Sequence, residues 1–184
     1  MFDDSAPTIL NFTRQTTDLR HVDVQAATCR RLFPSDINNS IMAIENASFE
    51  YPWIREDFEY CLKYDRCEGL LAEYNDQPVG YMIYEMRRRA VNLLTYAVAP
   101  HVRRRGLATI MFHRLFDKID AQRPEVVCIV RESNVEAQQF LNSLGFETLW
   151  VARGFYSETL EDAYRMTYRP NLPALMASRM RRIA

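Results

Sequence analysis

The stretch from Ala97 to Thr109 concentrates the residue types that can handle an anion. Ala97-Val98-Ala99-Pro100 closes an apolar segment, His101-Val102 follows, and Arg103-Arg104-Arg105-Gly106 leads into Leu107-Ala108-Thr109, where a helical pattern begins. The first amides of a helix lack internal partners and carry the positive end of its dipole, so they can receive a phosphate. Gly106 has no Cβ to hold that anion away from the backbone. The same run also reads as a solvated basic stretch ahead of a helix, and residue types alone leave both readings open.

Metal chemistry has little support. Cys29, Cys61, Cys67 and Cys128 form no CxxC pair and have no histidine nearby at ligand spacing, so no metal is expected and the thiols read as free in a reducing compartment.

Stepping outward, the apolar spacing supplies the elements that must hold this junction. Val24 to Leu32 reads as a strand, and Pro34-Ser35-Asp36 as a helix start ahead of Ile37, Ile41 and Ile44. Phe58 and Leu62 lie one turn apart in a second helix over Arg55 to Tyr64. Leu70 to Tyr74 and Val79 to Met86 form a hairpin about Asn75-Asp76-Gln77-Pro78. A strand from Val91 to Val98 follows the Arg87-Arg88-Arg89 turn and stops at Pro100. Ile110, Met111, Leu115 and Ile119 share one face of a helix from Leu107 to Ala121. Val126 to Val130 is a buried strand. Ser133 and Glu136 make a capping box for a helix that ends at Gly145, and strands at Phe146 to Ala152 and Ala163 to Tyr168 complete the order. This predicts a mixed α/β sheet covered by helices.

At 184 residues, 48% hydrophobic and 26% charged, the chain fits one globular domain. Lys plus Arg at 23 against Asp plus Glu at 24 gives a net charge of -1, so no overall field draws nucleic acid or an anionic membrane. Met1-Phe2-Asp3-Asp4-Ser5 lacks a signal-peptide pattern and no apolar run reaches the roughly 18 residues of a membrane span, which predicts a cytoplasmic protein. The expected organisation is an extension over 1–23, a domain over 24–170 and a basic tail over 171–184. Leu172, Leu175 and Met176 precede Arg179, Arg181 and Arg182 in that tail; three arginines are few, so it reads as a solvated helix with no direct nucleic-acid role.

Arg103 to Ala108 resembles the acetyl-CoA loop of the GNAT acyltransferases: Gln or Arg, two variable residues, Gly, one variable residue, then Gly or Ala. Further segments are similar to the RimI-type ribosomal-protein alanine N-acetyltransferases. They are Ile44-Glu45-Asn46-Ala47-Ser48-Phe49 running into Tyr51-Pro52-Trp53, Val130-Arg131-Glu132-Ser133-Asn134, Ser143-Leu144-Gly145-Phe146 and Glu161-Asp162-Ala163. The resemblance implies a mostly antiparallel sheet of about seven strands, helices on both faces, and two parallel strands that splay apart, here Val91 to Val98 and Val126 to Val130. It implies acetyl-CoA as cofactor, its thioester held at Ala97 and Val98 and its pyrophosphate on Arg104, Arg105, Gly106, Leu107, Ala108 and Thr109, with Arg103 opening the motif. Asn134 would hydrogen-bond the cofactor, though it also reads as a plain helix cap. Glu45 and Trp53 match the region that shapes the peptide side, though Trp53 also reads as simple core packing.

Two positions depart from that family. Where it has a glutamate acting as general base the chain has Ile129, and where it has a tyrosine acting as general acid the chain has Leu141; neither moves a proton. Tyr96, on the strand face shared with Val98, and Tyr156, in Gly154-Phe155-Tyr156, are the candidate replacements, though Tyr96 also reads as ordinary packing and Tyr156 as an exposed loop tyrosine. Tyr156 is also placed to line the peptide groove.

An α-amine titrates near about 7.7 to 8.0, so roughly a tenth is nucleophilic at neutral pH, against well under ~0.1% for a lysine near about 10.4. A missing base therefore harms lysine acetylation far more. The resulting expectation is an N-acetyltransferase acting on the N-terminal α-amine of a protein, a ribosomal protein by resemblance, working as a monomer or homodimer. The alternatives are a GNAT that acts on a small-molecule amine, or a CoA-binding module that has lost catalysis.

Overall fold

Seven consecutive residues of one strand, Val79 to Glu85, are buried, so that strand must be covered on both faces. It lies near the middle of a seven-stranded sheet. In the computed structural model, which describes Asp23, residues 26 to 171 and Pro173, the elements run β1 Thr28–Leu32, α1 Asn39–Asn46, α2 Arg55–Lys63, β2 Cys67–Tyr74, β3 Gln77–Met86, β4 Val91–Val98, α3 Leu107–Phe116, β5 Val126–Arg131, α4 Val135–Ser143, β6 Glu147–Tyr156 and β7 Glu161–Tyr168. The sheet order is β1-β2-β3-β4-β5-β7-β6. Neighbours are antiparallel except β4 and β5, which are parallel. The expected mixed α/β sheet is therefore present, with its one parallel pair where the resemblance put it. Of the extension expected over 1–23 all but Asp23 lies outside the described residues, as do Val24, Gln25 and nearly all of the tail beyond Asn171.

Several boundaries differ from the sequence reading. The strand expected from Val24 begins at Thr28. Pro34–Asp36 forms an isolated 3₁₀ turn instead of starting α1, because Asp36 turns back to accept the Phe33 amide at 2.8 Å and to pair with Arg30. The true cap is Asn38, whose side chain accepts from the amides of Ser40 and Ile41. The β2–β3 turn is tighter than four residues: Asn75 and Asp76 both take positive φ, 49° and 58°, as a two-residue hairpin turn requires. Gln77 and Pro78 thus belong to β3, beside an irregularity in the β2 register at Ala72/Glu73 where a missing N–H is tolerated.

Helix α3 ends at Phe116, not near Ala121, although Ile119 stays buried beyond it. For α4 the cap is Asn134, which accepts the Ala137 amide at 3.1 Å; the Ser133 amide is instead drawn to Glu161 at 2.8 Å. Gly145 ends that helix with φ 90°, and the Phe146 amide returns to the Leu141 carbonyl. Strand β6 runs on to Tyr156. The core between α3, α4 and the sheet is aromatic: Phe112 meets Tyr96 at 5.0 Å and Phe140 at 5.3 Å.

Candidate active site

The parallel pairing of β4 with β5 covers only Val91, Asn92 and Leu93 against Val126, Val127 and Cys128. Beyond that point the two strands part. Ile83 pairs with Thr95 and Tyr84 with Leu93, so Leu94 is an extra residue that bends β4 at the parting. The Ala99 amide donates to the Val79 carbonyl at 2.9 Å. Antiparallel residues alternate between bonded and unbonded pairs, so Val98 and Tyr96 turn their backbone groups away from β3 and into the gap.

On one side of the gap lies a cavity of about 510 Å³. Its wall includes Tyr96, Ala97, Val98, Arg103, Arg104, Gly106, Leu107, Ala108, Thr109 and Asn134. Arg104 and Gly106 both have positive φ, 61° and 89°, which coils the loop so that the first turn of α3 opens toward the cavity. A Cβ built on Gly106 meets nothing within 4 Å, so open space lies against the backbone there. The volume, the helix terminus and the bare glycine together fit a pantetheine arm and its pyrophosphate. Arg105 departs from expectation: it is exposed and stands outside the cavity wall. Arg103 lines the wall but faces inward, its Nε donating to the Val98 carbonyl at 2.9 Å and its Nη2 to Ser48 Oγ at 2.7 Å. It ties the loop to β4 and to the residues just after α1.

On the other side lies a second cavity of about 210 Å³, walled by Glu45, Tyr51, Trp53, Leu93, Leu94, Ile129, Arg131, Leu141 and Tyr156 among others. Phe49, Tyr96, Asn134 and Ala137 line both cavities, so the two meet there. A group held in the first cavity lies next to the second at these residues. The sheet pins Ile129 opposite Arg165, and its side chain is 37% exposed, facing the second cavity; Leu141 is fully buried in the wall.

Among the described residues Glu45 is the one carboxylate on the second cavity's wall. It is 1% exposed. Its Oε1 accepts the Trp53 amide at 2.7 Å, and its Oε2 accepts a hydrogen bond from the Tyr81 hydroxyl. The Tyr81 oxygen also lies 3.5 Å from Thr95 Oγ1. Burial pushes the Glu45 carboxyl up to about 7, against the pull of the Trp53 amide, and the charge of Asp57 adds to the rise. Burial likewise pushes the Tyr96 hydroxyl well above its usual range.

At the mouth, the Arg131 guanidinium lies 3.6 Å from the centroid of the Tyr156 ring and 4.8 Å from that of Tyr51, while Nη1 pairs with Glu161 at 2.8 Å. Burial raises the Tyr156 hydroxyl, and the neighbouring Arg131 charge opposes that. Trp53 meets Phe58 edge to face at 5.4 Å, so it serves both the cavity wall and the core.

The sequence reading missed Tyr81, Thr95 and the Tyr51–Arg131–Tyr156 stack. One signal pointed toward the first two. Ile41 and Glu45 are four residues apart and share a helix face. A carboxylate on that apolar face requires a buried donor.

A sheet opened between two parallel strands, with an anion-ready helix start on one side and a second cavity on the other, is the frame of an acyl-CoA-dependent acyltransferase. The profile of the Acetyltransferase (GNAT) family matches residues 38–146, and this chain belongs to that family. It is an acetyl-CoA-dependent N-acetyltransferase. Ribosomal protein bS18-alanine N-acetyltransferase from Salmonella typhimurium is 27% identical over 126 residues, covering 67% of this chain and 84% of the relative. The solved ribosomal-protein-S18-alanine N-acetyltransferase from Escherichia coli superposes with a TM-score of 0.70 at 24% identity, over 78% of this chain and 93% of that one. Arabidopsis thaliana NAA60, solved with a bisubstrate analogue, superposes with a TM-score of 0.68 at 18% identity, over 79% and 99%. At these identities the two structures speak to the fold. Among the described residues no helix is long and apolar enough to cross a membrane, and no cluster of His, Cys, Asp and Glu is arranged to hold a metal.

Proposed function

We propose that this chain acetylates the N-terminal α-amine of a protein or peptide, and that Glu45 takes the proton the amine must lose. The observation that carries the reading is the position of Glu45: it lies on the wall of the cavity opposite the cofactor side, with a carboxyl held near neutrality. A base works best when its pKa is close to the operating pH. The family's usual base and acid positions hold Ile129 and Leu141, so Glu45 occupies the role from a different element. The relative named for acetylating the alanine terminus of ribosomal protein bS18 supports an α-amine acceptor, and a ribosomal protein is one candidate partner.

Acetyl-CoA, when bound, supplies the acetyl group as a thioester. The α3 amides from Leu107 to Thr109 and Gly106 would hold the pyrophosphate, and the Val98 amide, whose carbonyl already accepts from Arg103, would hold the pantetheine arm. Asn134, at the meeting of the cavities, contributes a side-chain hydrogen bond. Tyr96 stays protonated and would stand as the proton donor toward the thioester sulfur. Tyr156, Trp53 and Tyr51 enclose the peptide.

Matched peptides test this, one with a free N-terminus and no lysine, the other N-terminally blocked with one lysine, beside a panel of small amines. CoA release should be faster with the free N-terminus. Faster turnover of the lysine peptide or of a small amine would overturn the reading, and acetyl-CoA binding without turnover of any acceptor would mark a binding module.

A further inference from the structure

The two splayed strands each leave one large aliphatic side chain exposed on the same cavity. Leu94, at the bend of β4, is 39% exposed and Ile129 on β5 is 37% exposed, and both line the acceptor side. Leu93, Leu141 and Trp53 continue the apolar wall. Two ionisable side chains of that wall already have partners. Glu45 has one oxygen on the Trp53 amide and the other on Tyr81. Arg131 is paired with Glu161 and has its faces against Tyr51 and Tyr156. A charged substrate side chain entering here would lose its water, with Arg131 already paired to Glu161 and the Glu45 carboxyl committed to the amine. An apolar side chain would gain by covering Leu94 and Ile129.

Building on the proposed α-amine reading, we infer that the first residue of the acceptor carries a large apolar side chain, such as Leu or Met, which packs against Leu94 and Ile129. Ile129 is then a specificity-determining residue. The carboxylate that the family places there has given way to the floor of a side-chain pocket. This would set the chain apart from relatives named for an alanine terminus. Each methylene placed in such a pocket is worth about 10- to 200-fold in kcat/KM at best, so Leu over Ala should exceed tenfold even with incomplete burial.

The test uses the full chain, acetyl-CoA and peptides identical from the second residue on, beginning with Leu, Met, Ala, Ser, Glu or Lys. The expected order in kcat/KM is Leu and Met, then Ala and Ser by tenfold or more, then Glu and Lys lowest. Ile129→Ser should shrink the Leu-over-Ala ratio at least fivefold, and Leu94→Ala should do the same should Ile129→Ser not fold. Acetylation of all six peptides at similar rates, an Ala or Ser preference, or an unchanged ratio in both variants would overturn this inference while leaving the α-amine reading in place. No acetylation of any peptide would overturn that reading and this inference with it.

Discussion

The carboxylate of Glu45 and the backbone amide of Trp53 are joined at 2.7 Å across the turn that links α1 to α2. The bond fixes the loop that carries Tyr51 and Trp53 to the helix that carries the proposed base. One residue thus sets both the shape of the acceptor cavity and its protonation.

Glu45→Gln keeps an acceptor for the Trp53 amide but removes the charge. Loss of general-base help is worth about 10²- to 10⁴-fold, so kcat/KM on an N-terminal peptide should fall by that order at pH 7. Wild-type activity should climb through about pH 7, and the variant should lose that limb and retain only the rise due to the amine itself. Stability should respond too. The folded state keeps the Glu45 proton up to about 7, whereas the ordinary value is 4.5, so it binds more protons than the unfolded chain in that window. Stability therefore falls as pH rises from about 4.5 to 7, and Glu45→Gln should flatten this slope in denaturant melts.

Gly106 makes a separable prediction for the cofactor. Its φ of 89° is strained for any side chain, although a Cβ would meet nothing within 4 Å. Gly106→Ala should lower stability by about 1 to 2 kcal/mol and still show a rise in Tm on adding acetyl-CoA. Gly106→Glu should carry the same strain and lose the rise, because a carboxylate would meet the pyrophosphate. A full rise in Gly106→Glu would move the cofactor away from this loop.

How much of this was legible before the structure depends on the distance over which the information acts. The helix start at Leu107, the helix stop at Gly145 and the strand stop at Pro100 are local signals, and each fell where the residues placed it. Ser133 and Asn134 show the limit: either can cap, and the choice was made by Glu161, 28 residues from Ser133, which takes the Ser133 amide. Glu45 was legible as a groove residue through its motif. Its chemistry was not, because the Tyr81 hydroxyl that partners it lies 36 residues away on another element. The parting of β4 and β5 came from the resemblance, since periodicity cannot say where a parallel ladder stops. The Arg131 stack joins three loops and strands, and no spacing encodes it.

The two tyrosines offered as proton carriers should now behave differently. Tyr96 packs at 5.0 Å from Phe112, lines both cavities, and has its hydroxyl raised by burial, with the charges of Cys128 and Glu136 adding to the effect. Such a hydroxyl keeps its proton at neutral pH, so it does not serve as the base and any role it has is as a donor. Tyr96→Phe keeps the ring packing, so its effect reports the hydroxyl alone: kcat should drop tenfold or more while the acetyl-CoA shift in Tm is unchanged. Tyr156 sits at the mouth with its ring on Arg131. Tyr156→Phe retains that stack and should leave kcat within about threefold, whereas Tyr156→Ala uncovers the guanidinium and should raise KM for the peptide more than it lowers kcat. The split between kcat and KM decides the roles, because a purely structural loss would lower Tm in parallel. If Tyr156→Phe loses kcat as Tyr96→Phe is expected to, and Tyr96→Phe does not, the proton donor stands at the mouth of the groove and the transfer geometry proposed between the two cavities is wrong.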